Sequence, residues 1–373
     1  MCSKELGISI IKEYMLLKTV PYIKDTMFFN ILEKRGTLKN IFSASFDELY
    51  ALGIPDTAAE NIIKKKYNEA FVDKELSMAE KNNVQLICLE DSRYPAMLKE
   101  IYCPPAYLYV KGSLEHLTKP TIAIVGSRKA SKASTDFAYA IASDLASVGI
   151  TVVSGFASGI DIAAHTGAMT KGSTAAVLGS GLSNIYPKKN LKYASELIEK
   201  GCFISEYRFY EEPLPYNFPK RNRIISGLSM GVLIVEAAFR SGSLITARFA
   251  LEQNRSVFAV PQFPGAYHSA TNNLIKQGAK LTESYRDIIE EFENLLYVQF
   301  MADNSKPAAM PNGIKGKICN AILKEPCSAD ELCIMLNVNA ADLMIYTAEL
   351  EMDSYITKNE GNKYIPSKGL ING

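Results

Sequence analysis

The sequence is short of what marks a metal centre or a cofactor enzyme. Only three histidines occur in 373 residues, and they are widely separated. None of the seven cysteines (Cys2, Cys88, Cys103, Cys202, Cys319, Cys327 and Cys333) forms a C-x-x-C pair. This pattern speaks against a zinc site or a disulfide framework and reads as buried free thiols in a reducing compartment. No run approaches the ~20 apolar residues of a membrane span. Lys12 and Glu13 interrupt the first apolar stretch, which breaks any signal-peptide core. The expected location is the cytoplasm, without membrane contact. Charge of one sign is also lacking: the net charge is +1. A protein that coats nucleic acid by bulk charge would be far more basic, so any nucleic-acid site must be a local patch.

Familiar catalytic strings are missing as well. After the strand at 121–125 the chain reads Gly126-Ser127-Arg128-Lys129-Ala130-Ser131, one glycine where G-x-G-x-x-G needs three. No Gly-Lys-Ser/Thr P-loop occurs. Gly155-Phe156-Ala157-Ser158-Gly159 is G-x-x-S-G, not the G-x-S-x-G of a nucleophile elbow. Asp161 and His165 share a helix face at i,i+4 and read as a structural pair orienting the loop. Glu206 and Glu236, at strand ends, could act as acids, but orienting arginines and backbone amides is the preferred role. No catalytic residue, metal ligand or cofactor is assigned.

What is present is a core-forming composition, 47% apolar, and length for two or three domains. Residues 1–75 read as a small helical domain of the SAM or helix-hairpin-helix kind. Ser45-Phe46-Asp47-Glu48 and Thr57-Ala58-Ala59-Glu60 fit the capping-box pattern around a turn at Leu52-Gly53-Ile54-Pro55. Lys64, Lys65 and Lys66 read as a solvated face. Residues 76–297 read as an α/β domain. Runs at 84–89 and 107–110 are expected strands extending its sheet. Short apolar strands at 121–125, 151–153, 174–178, 202–205, 232–235 and 257–260 alternate with amphipathic helices, the last over 285–296. That alternation means βαβ units and a buried parallel sheet. Residues 298–312, with Asp303-Asn304-Ser305-Lys306-Pro307, form a linker. Residues 313–373 read as three helices and a hairpin turning at Asn359-Glu360-Gly361-Asn362, a winged helix. Its third helix, 340–352, carries Asp342, Glu349 and Glu351 but no Lys or Arg, and an acidic helix is repelled by phosphate. The module is therefore read as a protein-contact or regulatory domain, not a transcription regulator.

Ligands of open α/β sheets bind outside the carboxyl ends of the strands. The loops there carry Ser127 and Arg128; Gly155, Phe156, Ser158 and Gly159; Lys188 and Lys189 after Tyr186-Pro187; Phe218, Lys220, Arg221, Asn222 and Arg223; and Ser241, Gly242 and Ser243. Glycines let backbone N–H groups approach an anion, serines add donors, and helices starting near Gly159 and Ser243 add positive dipole ends. Six cations on one rim point to several phosphates. Phe156, Tyr186 and Phe218 offer stacking platforms for unpaired bases, with Phe156 as the best placed and Tyr186 the most open to a packing role.

These loops resemble the DprA/Smf family of bacterial DNA-processing proteins. The resemblance rests on Gly126-Ser127-Arg128, Ser154-Gly155-x-Ala157-x-Gly159-Ile160-Asp161, Ala164-His165, Gly179-x-Gly181, Tyr186-Pro187, Phe218-Pro219-x-Arg221-Asn222-Arg223, Glu236-Ala237 and Ser241-Gly242-Ser243. It is dense over residues 84–282. It implies an extended Rossmann-like fold that homodimerises, and a non-enzymatic protein of natural transformation. Such a protein binds and protects single-stranded DNA and loads the RecA recombinase. It implies a groove lined by Arg128, the Gly155–Gly159 loop, Lys188 or Lys189, and Lys220 to Arg223. Three places depart from the family pattern: Gln262 where glycine is usual, His268-Ser269-Ala270-Thr271-Asn272 where Ser-x-Gly-x-Asn is usual, and Ser158 where arginine is frequent. They imply a weaker or differently shaped groove at that end. An enzymatic alternative is a nucleotide-handling phosphoribohydrolase of the lysine-decarboxylase-like type, but its Pro-Gly-Gly-x-Gly-Thr hallmark is absent.

Overall fold

The computed structural model describes residues 2–264, 269–292, 311, 313–352, 355–359 and 363–366. Two compact units are found, Met1–Ile288 and Ile289–Gly373.

The first unit is built on a nine-stranded sheet. Its strands are β1 (Gln85–Cys88), β2 (Tyr107–Gly112), β3 (Thr121–Val125), β4 (Thr151–Ser154), β5 (Thr174–Val177), β6 (Gly201–Ser205), β7 (Gly231–Ile234), β8 (Ser256–Ala259) and β9 (Lys280–Leu281). The spatial order is β1-β2-β6-β5-β4-β3-β7-β8-β9. The strands from β6 to β9 pair in parallel. The expected extension from residues 84–110 is there too: β1 and β2 add antiparallel at one edge. Every residue of β3, β4, β5, β6 and β7 is buried. That is why these segments read as unbroken apolar runs: helices cover both faces.

Helix Lys132–Ser147 illustrates the local logic. Ser131 caps it, accepting from the Ser134 amide, and Ala138, Ile141, Ala142 and Leu145 turn into the core. Helices Ala96–Lys99, Asn217–Gly227 and Ala270–Lys276 were not expected, and the second of them matters for the site. Asn217–Gly227 is helical, so Phe218 to Arg223 occupy its first two turns and not a loop. Pro219 sits in the first turn, where a missing N–H costs nothing.

The N-terminal residues are helical, as expected, and belong to the same compact unit. Ser45 and Glu48 form the capping box, with the Ser45 amide 2.7 Å from Glu48 Oε2. Thr57 does not cap its helix, which starts one residue earlier, at Asp56 after Pro55. Gly53, at φ +84°, makes the tight turn between the two helices. Lys64, Lys65 and Lys66 are exposed, and Lys64 pairs with Glu60 at 2.6 Å. Buried Glu75 ties helix Glu69–Lys81 to the sheet, accepting from Tyr109 Oη at 2.6 Å and the Phe209 amide at 2.9 Å.

The second unit has helices Ile314–Lys324, Ala329–Leu336 and Ala340–Met352 and a hairpin of β10 (Ile356–Lys358) with β11 (Tyr364–Pro366). Ile318, Ile322, Leu332, Leu343, Leu350, Ile356 and Tyr364 form its core. This is the three-helix-and-wing pattern expected from the sequence. The linker apart from Pro311, the end of the helix expected over 285–296, the hairpin turn at 360–362, and His268 lie outside the described residues.

Candidate nucleic-acid interface

Chain order reverses at β3: β4 lies on one side of it and β7 on the other. Such a switch point opens a crevice at the carboxyl ends of the strands. The crevice is a cleft of about 870 Å³. Of the expected site residues, Ser127, Arg128, Phe218, Arg221, Asn222, Ser241, Gly242 and Ser243 line it. A smaller recess of about 60 Å³ adjoins it, lined by Arg128, Gly155, Ala157, Ser158, Tyr186, Pro187 and Phe218. Arg128, Ala157 and Phe218 belong to both.

The wall they share is the most suggestive feature. Arg128 is exposed, and its guanidinium carbon lies 5.5 Å from the Phe218 ring centre. Tyr186, 46% exposed, tilts against the same ring at 5.9 Å. A cation held over an aromatic face beside a second open ring can meet a phosphate and a base together. Lys188 and Lys189 are exposed in the 3₁₀ turn that follows Tyr186-Pro187.

Several expected ligands turn out to be engaged by the fold. Phe156 is fully buried, packed edge-on against Phe203 at 5.0 Å and against His165, so it cannot stack on a base. Arg223 is buried and donates to both oxygens of Glu206 at 2.7 Å and to the Cys103 carbonyl at 3.1 Å. Burial pulls its pKa down, but Glu206 outweighs that and raises it. Its charge is neutralised inside the protein, and Glu206 has the orienting role expected of it. Arg221 donates to the carbonyls of Gly155 and Val177. Burial brings its pKa down to about 10, with Asp161 opposing the shift. It lines the cleft but is buried, with its guanidinium bonded to the fold. Lys220 is half-exposed and lies 3.8 Å from Asp25 of the helical N-terminal region; it is not among the cleft-lining residues. Asn222 donates to the Gly242 carbonyl at 3.2 Å, linking two cleft walls.

The Ser-Gly loop is likewise filled from within. Asp161 Oδ2 accepts from the amides of Gly155 and Ala157 at 3.2 and 3.3 Å, so these amides are not free for phosphate. Burial raises the Asp161 pKa, and Arg221 opposes it. The glycines serve close packing: a Cβ on Gly155 would meet Arg221 Nη2 at 2.6 Å, and one on Gly159, at φ +77°, would run into the Ser127 carbonyl. Asp161 and His165 do not bond to each other. His165 Nδ1 pairs with Thr174 Oγ1 at 2.7 Å, and burial, then Arg221, takes the imidazole down to about 3. Glu236 Oε2 accepts from the Ser131 amide at 3.0 Å.

On the β7 side, Ser241 caps helix Gly242–Glu252, and its hydroxyl lies 2.7 Å from that of Ser243. Sequence reasoning passed over Phe239 and Arg240, which also line the cleft; a Phe-Arg pair inside a loop otherwise made of small residues was the available signal. Gln262, at a position where the family pattern has glycine, closes the late loop. Its backbone exchanges bonds of 2.8 and 2.7 Å with the Asn272 amide group, and its side chain reaches the Val235 carbonyl at 3.0 Å.

Comparison with known proteins identifies relatives of the chain. Residues 85–293, more than half of the chain, match the family described as DNA recombination-mediator protein A. The chain is 44% identical over 225 residues to Protein Smf of Escherichia coli, a match spanning 60% of each protein. The X-ray structure of DNA processing protein A from Streptococcus pneumoniae superposes with a TM-score of 0.66 at 34% identity, covering 75% of this chain and 97% of that one. A Helicobacter pylori DNA processing protein A, whose structure describes its single-stranded DNA binding mode, matches with a TM-score of 0.52 at 31% identity, covering 56% of this chain and 96% of that one.

Proposed function

Because the chain belongs to the DNA recombination-mediator protein A family, we propose that it binds single-stranded DNA at the switch-point cleft and acts as a recombination mediator. The observation that carries this reading is the open wall of Arg128, Phe218 and Tyr186 between the cleft and its recess. Its chemistry suits an unpaired strand: aromatic faces for bases and an exposed guanidinium for phosphate, with Lys188 and Lys189 close behind in sequence. A duplex keeps its bases stacked and offers none of these faces. The relative from Helicobacter pylori, described as binding single-stranded DNA, supports the same reading.

The fuller role follows the family. The protein protects incoming single strands in the cytoplasm, works as a homodimer, and loads the RecA recombinase during natural transformation. It acts as a binding protein, not an enzyme. Asp161 and His165, the pair best placed for acid–base work, hold the loop and the Thr174 hydroxyl instead. The test is fluorescence anisotropy with labelled oligo-dT and with a matched duplex. Tight, salt-sensitive binding of the single strand alone supports the proposal; equal binding of the duplex refutes it. RecA loading is checked by strand exchange on DNA pre-coated with a single-strand-binding protein, with and without the chain.

A further inference from the structure

The turn that follows β7 places two exposed side chains, Phe239 and Arg240, in the lining of the cleft. The Ser241 amide donates to the Ala238 carbonyl at 2.9 Å, closing a four-residue turn with Phe239 and Arg240 at its two central positions. Such positions favour Gly, Pro, Asn, Asp or Ser, because those residues suit the backbone or bond to it locally. Phe does neither. Phe239 is 66% exposed and Arg240 is exposed, although β7, which leads into the turn, is wholly buried.

The turn is firmly held. Ala237 bridges to Ser269, Asn222 donates to the Gly242 carbonyl, and Ser241 caps the following helix. Phe239 and Arg240 therefore stand on a rigid base and line the same cleft as Arg128 and Phe218. Two pairings of an aromatic ring with an arginine therefore line one cleft: Phe218 with Arg128, and Phe239 with Arg240. A volume of about 870 Å³ is at the upper end of ordinary ligand pockets, about 300–1,000 Å³.

We propose that Phe239 and Arg240 form a second lip of the single-strand site, Phe239 stacking on a base and Arg240 engaging the adjoining phosphate. This rests on the proposed function above. The strand then crosses the cleft from the Tyr186 and Phe218 side to the β7 side, gripped at both walls. Because each wall takes a base face, an unpaired strand is selected twice.

The test compares Phe239→Ala, Phe239→Tyr, Arg240→Ala and Arg128→Ala by anisotropy on oligo-dT and on an oligomer with an abasic stretch. Phe239→Ala should weaken oligo-dT binding about tenfold, within the range that one base stack supplies, and leave the salt slope unchanged. It should not affect binding to the abasic oligomer, and Phe239→Tyr should restore the affinity. Arg240→Ala should weaken both oligomers and flatten the salt slope. If Arg128→Ala weakens binding while Phe239→Ala and Arg240→Ala match the wild type, the second lip is wrong and the site stands. If the wild type fails to bind oligo-dT, the functional reading falls, and the second lip with it.

Discussion

Arg223→Ala separates a structural arginine from a DNA ligand. Arg223 and Glu206 are both buried, with side chains 8% and 2% exposed, and two bonds of 2.7 Å join them. Removing the guanidinium leaves the Glu206 carboxylate charged and buried, and also frees the Cys103 carbonyl. Breaking one side of a buried pair costs about 3–5 kcal/mol. In a unit of this size that lowers the melting temperature by roughly 6–20 °C, taking about 2–4 °C per kcal/mol. The assay is thermal unfolding by circular dichroism, followed by oligo-dT titration well below the melting point. The expected result is a strongly lowered melting temperature with near-normal affinity in the folded fraction. The double variant Arg223→Met with Glu206→Leu should recover most of the stability, since an apolar pair of similar volume is often neutral. A melting temperature within about 2 °C of wild type, together with weakened binding, would refute the reasoning and return Arg223 to the DNA surface.

Three further outcomes follow from the same geometry. Phe218→Ala should weaken oligo-dT binding with little loss of stability. Phe156→Ala should cost about 3–5 kcal/mol of stability, as a buried aromatic does; comparing the two by denaturant midpoint and anisotropy checks which ring meets the base. His165 is held neutral, its pKa depressed from 6.5 to about 3. The unfolded chain takes up a proton that the folded one refuses, so this stability is complete above pH 6.5. It is lost as pH falls toward 3, by about 1.4 kcal/mol per pH unit. His165→Gln should flatten the urea midpoint between pH 7 and pH 5 relative to wild type. A chain truncated after Phe292 should keep its oligo-dT affinity, because helix Ala340–Met352 carries acidic residues and no cation; a large loss would give that module a direct DNA role.

The sheet was legible because burial on both faces writes itself as unbroken apolar runs, and β3 was placed to the residue. The rim was legible because parallel strands put all their carboxyl ends on one side. Side-chain direction was not. Gly155-Phe156-Ala157 has the composition of an exposed loop tip, yet Phe156, at φ +58°, turns inward onto Phe203. That choice depends on a cavity shaped by a strand nearly fifty residues away in the chain. Pro219 and its neighbouring cations disguised a helix as a loop. Arg223 looked like a phosphate ligand because its partner Glu206 comes from the end of another strand, a pairing that exists only once the sheet is assembled. Phe239 and Arg240 were visible as residues but carried no meaning until the fold brought their turn into the lining of the same cleft as Arg128.

An exposed arginine on the wall of the switch-point cleft, Arg128, is proposed to meet the phosphates of an unpaired strand. The direct measurement is oligo-dT affinity against salt concentration for the wild type and Arg128→Ala. The wild type should show steep salt dependence. The variant should bind more weakly, with a log–log slope shallower by about 0.7, the share of one phosphate on a single strand. Equal affinity and equal slope in the two proteins would contradict it.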